Sequence, residues 1–293
     1  MRILHLDAGK EMRGGQHQVL RLIAGLAAAG VESTLLARPD APLYEAARKA
    51  GWCVEPIGFT RAVMLSRRND LIHAHDSHSH NLGAVVRGKP LVVARRVSFP
   101  VGSKWKYSTA THYIAVSEFV KSVLMEGDVP DDKISVVYDG VPVLDVATPS
   151  RIIAPGNVHD PQKGAGLAME AAKLAGVTLH FSADLENDLR HASLLVYVTY
   201  SEGLGSGALL AMSAAVPVIA SNVGGLAEII QPDQNGVLVE NRPEEIAAAI
   251  RRLLDNPEIA RTIGRTARQT VIDKFTVDQM VRRTIEVYRQ VLY

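Results

Sequence analysis

The chain has one cysteine, Cys53, among 293 residues, which excludes an intrachain disulfide and a multi-cysteine zinc site and agrees with a reducing compartment. It also lacks a charge excess. With 32 Lys and Arg against 31 Asp and Glu, the net charge is +1, so no global field draws in nucleic acid or an anionic membrane, and any basic site must be local. Long apolar runs are missing as well: the longest, Ala208 to Ala220, contains Ser213 and Pro217 and falls short of the ~20 residues that span a bilayer. The start, Met1-Arg2-Ile3-Leu4-His5-Leu6-Asp7, carries one basic residue and an apolar stretch broken by His5 and Asp7. It reads as a first strand rather than a secretion signal. No Asp-x-Asp pair is present to hold a divalent cation on a phosphate. The expectation is a cytoplasmic protein with neither metal nor cofactor.

What is present is a globular composition, 47% hydrophobic and 22% charged, which excludes a disordered or fibrous chain. Short β-branched runs alternate with amphipathic helical stretches, the pattern of parallel sheets with crossover helices. Strands are expected near 2–7, 32–38, 52–57, 70–75, 90–95, 111–116 and 134–139, then near 151–155, 177–182, 194–198, 216–221 and 235–239. Between the two series, Val141 to Ser150 holds two prolines and no helical period, as an interdomain connection would. The last helical pattern, about Val277 to Leu292, keeps Met280, Val281, Ile285, Val287, Tyr288 and Val291 apolar. The domains are therefore placed at 1–147 and 148–275, with a terminal helix at 276–293.

Three clusters could carry chemistry. Tyr200-Ser201-Glu202-Gly203-Leu204-Gly205-Ser206-Gly207 follows a strand and opens a helix. Glycines there let backbone N–H groups approach an anion at a positive helix end, although a tight turn without a ligand explains the glycines about equally well. An acid at 202 repels phosphate, so Glu202 is better suited to sugar hydroxyls. The run His73-Ala74-His75-Asp76-Ser77-His78-Ser79-His80 raises a metal site, but its spacing fits no zinc pattern and no later residues complete one. Arg95 and Arg96, with Lys104, Trp105 and Lys106, form a basic and aromatic patch that is either a solvated loop or a site for an anionic ligand.

Four motifs in order resemble retaining family-4 glycosyltransferases: Glu202-Gly203-Leu204-Gly205, Ala211 to Ser221, Val223-Gly224-Gly225-Leu226-Ala227-Glu228, and Asn235-Gly236-Val237-Leu238-Val239. Gly14-Gly15-Gln16, Asp70 to His75, Ala115-Val116-Ser117-Glu118 and Lys133 to Val141 extend the resemblance over essentially the whole chain. It implies an α/β GT-B fold, in which two Rossmann-like domains face a cleft and a C-terminal helix crosses back to the first domain. The implied reaction is transfer of a sugar, with retention, from a nucleotide diphosphate donor to a hydroxyl acceptor. Catalytic roles fall to His75, Asp76 and Glu202. The donor would meet Gly14, Gly15, Lys163, Gly203, Leu204, Gly205, Ser206 and Leu210, and an anionic acceptor would meet Arg95, Arg96 and Lys104.

The chain departs from the family pattern in several places. Asn157 stands where the family has an Arg of its diphosphate clamp, with His159 nearby as a substitute or an exposed loop residue. Leu210 stands where a second Glu holds the ribose, Tyr138-Asp139-Gly140 replaces the usual Asn-Gly, and arginines replace a histidine near position 95. The segment from Leu174 to Leu185 is short for the family, which implies a compact member. The expected partners are a nucleotide-sugar donor and a saccharide or glycolipid acceptor of the cell envelope, with a peripheral contact at the inner face of a membrane and no nucleic acid. Two other readings are a non-catalytic GT-B scaffold, suggested by Asn157 and Leu210, and a nucleotide-sugar epimerase.

Overall fold

Seven short apolar runs pair side by side in the first part of the chain. They are β1 (Arg2–Leu6), β2 (Glu32–Ala37), β3 (Val54–Pro56), β4 (Leu71–Ala74), β5 (Leu91–Arg95), β6 (His112–Ala115) and β7 (Ile134–Val136). Every pairing is parallel, in the order β3-β2-β1-β4-β5-β6-β7. β1, β4, β5 and β6 are buried almost throughout, as strands covered by helices on both faces must be. Five more strands form a second parallel sheet: β8 (Arg151–Pro155), β9 (Leu179–Ser182), β10 (Ala192–Tyr197), β11 (Val218–Ser221) and β12 (Val237–Val239), in the order β12-β11-β10-β8-β9. The computed structural model describes every residue except Arg87 and Asn157.

The chain divides into two units, Met1–Gly140 with Val277–Tyr293, and Val141–Thr276. The expected boundary at 147/148 thus compares with an observed change at Gly140/Val141, and the chain returns to the first unit after Thr276. The segment 142–150 has no regular secondary structure, in keeping with its prolines.

In the first unit the helix Val277–Leu292 lies against the helix Gly14–Ala28. Met280, Val281, Val287 and Tyr288 join Ile3, Leu22, Leu26, Leu71, Val92 and Ile114 in one core. Close approach depends on Gly25, where an added Cβ would come within 2.4 Å of Val281 Cγ2. The second unit centres on Ile152, Leu194, Val196 and Ile219, covered by Ile246, Ile250 and Leu253.

Each sheet reverses its strand order once, between β1 and β4 in the first unit and between β8 and β10 in the second. At such a point the chain leaves neighbouring strands in opposite directions, and a crevice opens beyond their carboxyl ends. The residues that follow β1, β4, β8 and β10 are therefore the first places to look for chemistry.

Candidate functional site

In the second unit the segments leaving β8 and β10 are stitched together. Thr199 Oγ1 donates to Gln162 O at 2.9 Å, Tyr200 N to Gln162 O at 2.9 Å, and Gly164 N to Val198 O at 3.1 Å. Ser221 and Asn241 hold Thr199 from the other side. This brings Lys163 to Glu202: Nζ donates to Oε2 at 2.8 Å, with side chains 26% and 16% exposed. A third residue, Tyr197, donates its hydroxyl to the same Oε2 at 2.8 Å. Burial, then the Glu202 charge and the hydrogen bond to it, raises the Tyr197 phenol well above its ordinary range, so it stays a donor at neutral pH.

The glycine loop is tighter than an open phosphate cradle. Gly203, Leu204 and Gly205 are buried. Gly205 has φ of 104°, and an added Cβ would come 2.5 Å from Leu226 Cδ2, so glycine is needed there for backbone and packing together. An added Cβ at Gly207 would lie 2.9 Å from Tyr197 Cε2, so that glycine makes room for the tyrosine ring. Glu202, Ser206 and Gly207 are only partly covered, at the start of the helix Ser206–Ser213. Leu210, on that helix, is 8% exposed and presents no polar atom from its side chain. His159 is exposed. Asn157 lies outside the described residues.

The first unit has a polar centre at its own reversal point. Asp7, just after β1, accepts from Gly9 N at 2.8 Å and from Gln16 Nε2 at 3.2 Å. Burial and the nearby Asp76 push its carboxyl up to about 6, against the pull of those hydrogen bonds and Arg96. Asp76 caps the helix Ser77–Val85. Its Oδ1 accepts from His78 N and Ser79 N, and its Oδ2 from Ala8 N and Ser79 Oγ at 2.6 Å each. With four donors on its two oxygens, Asp76 clamps the loop after β1 to the segment after β4. Gly14 and Gly15 begin the next helix, where the nearest atom to an added Gly15 Cβ is Arg96 Cδ at 4.0 Å.

His75 points inward. It is 6% exposed, Nε2 meets His5 Nδ1 at 3.0 Å, and Nδ1 is buried. It offers no nitrogen at the surface, which corrects the expectation of direct contact with a substrate, because just after β4 its ring turns inward onto His5 of β1 and His73 of β4. His73 Nδ1 meets Tyr288 OH at 2.6 Å. Burial lowers His5 to about 3, and burial followed by neighbouring positive groups lowers His73 and His75 well below 6.5. One nitrogen from each of these rings lies within 4.8 Å of the others, close enough to suggest a metal. The His5 and His75 planes, however, differ by only 14° with ring centres 5.2 Å apart. His5 Nδ1 and His75 Nε2, 3.0 Å apart, are at hydrogen-bond distance, with the proton on one nitrogen and the lone pair on the other.

The basic patch comes apart. Arg95 is 9% exposed and donates to Tyr107 OH and Phe99 O. Arg96 donates from Nε to Asp139 Oδ1 at 3.1 Å. Lys106 is buried on Ser77, and Lys104, on the surface, pairs with Asp128 at 2.5 Å. The expectation of one open cationic face at Arg95, Arg96 and Lys104 is corrected, because Arg95 and Arg96 are drawn inward onto oxygen partners and only Lys104 lies open on the surface.

Residues 12–143 match the family described as Glycosyltransferase Family 4, and residues 160–270 match Glycosyl transferases group 1. The chain carries a family 4 and a group 1 glycosyltransferase domain. An uncharacterised glycosyltransferase of Methanocaldococcus jannaschii is 24% identical over 86% of this chain and 84% of its own. The D-inositol 3-phosphate glycosyltransferase of Paenarthrobacter aurescens is 33% identical over 42% of this chain and 31% of its own. Among solved structures, Anabaena HepE in complex with UDP and glucose superposes with a TM-score of 0.86 at 18% identity, over 99% of both chains. That likeness identifies the fold as GT-B. Lys163, Tyr197 and Glu202 all belong to the group 1 match, whereas Asp7 precedes the family 4 match and Asp76 and Arg96 fall within it. Tyr197 had escaped sequence reasoning because it ends an apolar strand. Its one signal was a hydroxyl at the point where β10 opens.

Proposed function

We propose that the protein is a glycosyltransferase that moves a sugar from a nucleoside diphosphate to a hydroxyl acceptor, with retention and without a metal. The observation that carries this reading is the meeting of Lys163 and Glu202 at the strand-order reversal of the group 1 domain, beside a helix start. A cation there suits the leaving diphosphate, and a carboxylate suits sugar hydroxyls. Catalysis of this kind is mainly positioning and stabilisation of departing charge. Ser206, Gly207 and the helix start add N–H donors, and Lys163 supplies the positive charge. In the first unit Asp76 acts as a positioning residue that holds the loop after β1. The acceptor is a saccharide or glycolipid of the cell envelope. Anionic groups on it would meet Arg96 only by competing with Asp139.

The relatives named above support a nucleotide-sugar donor. HepE was captured with UDP and glucose, and the Paenarthrobacter protein is named for glycosyl transfer to an inositol phosphate. Incubation with a panel of UDP-, GDP- and ADP-sugars, followed by release of the nucleoside diphosphate, tests the reading directly. Consumption of one of them supports it, and consumption of none, with or without candidate acceptors, removes it. A scaffold without activity is the second reading, favoured by the apolar Leu210 in place of a ribose-binding acid. It predicts binding without turnover.

A further inference from the structure

Glu202 receives two protein donors on one oxygen, and they differ in kind. Lys163 is a flexible point charge whose side chain is 26% exposed. Tyr197 is 8% exposed, ends β10 in register with Ala220 of β11, and has its ring seated in the space that Gly207 leaves. Lys163 Nζ also lies 5.8 Å from the centre of that ring. If Lys163 serves a diphosphate, as the proposed function requires, its ammonium must turn at least partly from Glu202 toward the phosphate. The carboxylate, 16% exposed, would then lose a charged donor at the moment it has to be correctly aimed. A phenylalanine would fill the same core space at no desolvation cost, so the hydroxyl at 197 calls for a polar reason.

We propose that Tyr197 is the positioning residue that keeps Glu202 aimed while Lys163 moves to the ligand phosphate. Both protein bonds fall on Oε2, which leaves Oε1 to accept from a sugar hydroxyl. The tyrosine thus divides the work of the pair: the lysine is released to the leaving group, and the acid stays fixed on the sugar. The raised phenol pKa is consistent with this, because the donor keeps its proton. The inference rests on the donor-site reading.

The test is Tyr197→Phe, which keeps the ring and the fold, measured beside Glu202→Gln and the double variant. The probes are whichever nucleotide sugar of the panel the wild type consumes and the matching nucleoside diphosphate. Affinity for the nucleoside diphosphate should stay within about twofold, while kcat falls about tenfold or more, the loss expected of one hydrogen bond to a charged group. The double variant should be no worse than Glu202→Gln alone. Unchanged kcat in Tyr197→Phe, or losses that multiply in the double variant, would overturn the role of Tyr197 and leave the donor site standing. A wild type that consumes no nucleotide sugar would overturn the donor-site reading itself, and this role with it.

Discussion

Arg96 Nε donates to Asp139 Oδ1 at 3.1 Å, between side chains only 13% and 9% exposed. Both residues mark departures from the family pattern, arginines in place of a histidine after β5 and Asp139 in the Asn-Gly position after β7. The two departures are partners. Removing one member of a buried pair strands the other charge and typically costs about 3 to 5 kcal/mol. Arg96→Gln and Asp139→Asn should each lower stability on that scale in urea unfolding. The double variant should fall well short of the sum, and additive losses would show that the two do not act together.

Acid sensitivity follows from the buried histidines. His5, lowered to about 3, and His73 and His75, lowered well below 6.5, stay neutral in the native state while the unfolded chain takes up protons near pH 6.5. Groups with depressed native pKa values contribute stability that is present above pH 6.5 and lost as pH falls below it. Asp7 works the other way: its carboxyl is raised to about 6, so it adds stability below pH 3.8 that is lost as pH rises through 6. At pH 5 three imidazoles outweigh one carboxyl. Unfolding there should take up roughly two protons net from these four groups, and the midpoint of thermal unfolding should fall steeply between pH 7 and 5. Asp7→Asn should raise stability at pH 8 and steepen the loss on the acid side, because the carboxyl no longer offsets one of the three protons that the histidines take up on unfolding. A midpoint flat from pH 7 to 5 would contradict the neutral histidine cluster.

Two glycines should respond oppositely to a methyl group. At Gly207 a Cβ would lie 2.9 Å from Tyr197 Cε2, whereas at Gly166 nothing lies within 4 Å. Gly207→Ala should destabilise by about 1 to 3 kcal/mol, as overpacking does. Gly166→Ala, in the helix Ala165–Ala175, should be neutral or stabilise by up to about 1 kcal/mol. Equal effects in chemical denaturation would show that the tyrosine ring moves freely.

Much of the fold was legible because buried parallel strands leave short β-branched runs between amphipathic helices, and all twelve expected strands form. Lys163 and Glu202 were each legible from their motifs. Their contact was not, since they lie 39 residues apart and meet only because β8 and β10 are neighbours in the sheet. Tyr197 looked like one more apolar strand residue. The basic patch misled for a simple reason: consecutive residues on an extended chain point to opposite sides, so Arg95 and Arg96 could not both face one ligand. Arg95 turned to Tyr107 and Arg96 to Asp139. His75 misled similarly, because its ring turns inward onto His5, a partner 70 residues away in sequence on the neighbouring strand β1.

Leu210, 8% exposed, offers a ribose no charged acceptor. The protein should therefore discriminate little between the ribo- and deoxyribo- forms of its nucleoside diphosphate, with affinities within about tenfold, or 1.4 kcal/mol. Competitive calorimetry with the ribo- and deoxyribo- forms of the nucleoside diphosphate whose sugar the protein consumes reads this directly. A large preference for the ribonucleotide would mean that another group holds the ribose hydroxyls.

The central claim is that Lys163 and Glu202 form the donor site, and calorimetry on Lys163→Ala tests it most directly. The wild type should bind the nucleoside diphosphate of its donor, and the variant should bind it at least about tenfold more weakly, a loss of about 1.4 kcal/mol, with its thermal unfolding little changed. Unaltered affinity in a folded variant would contradict the assignment.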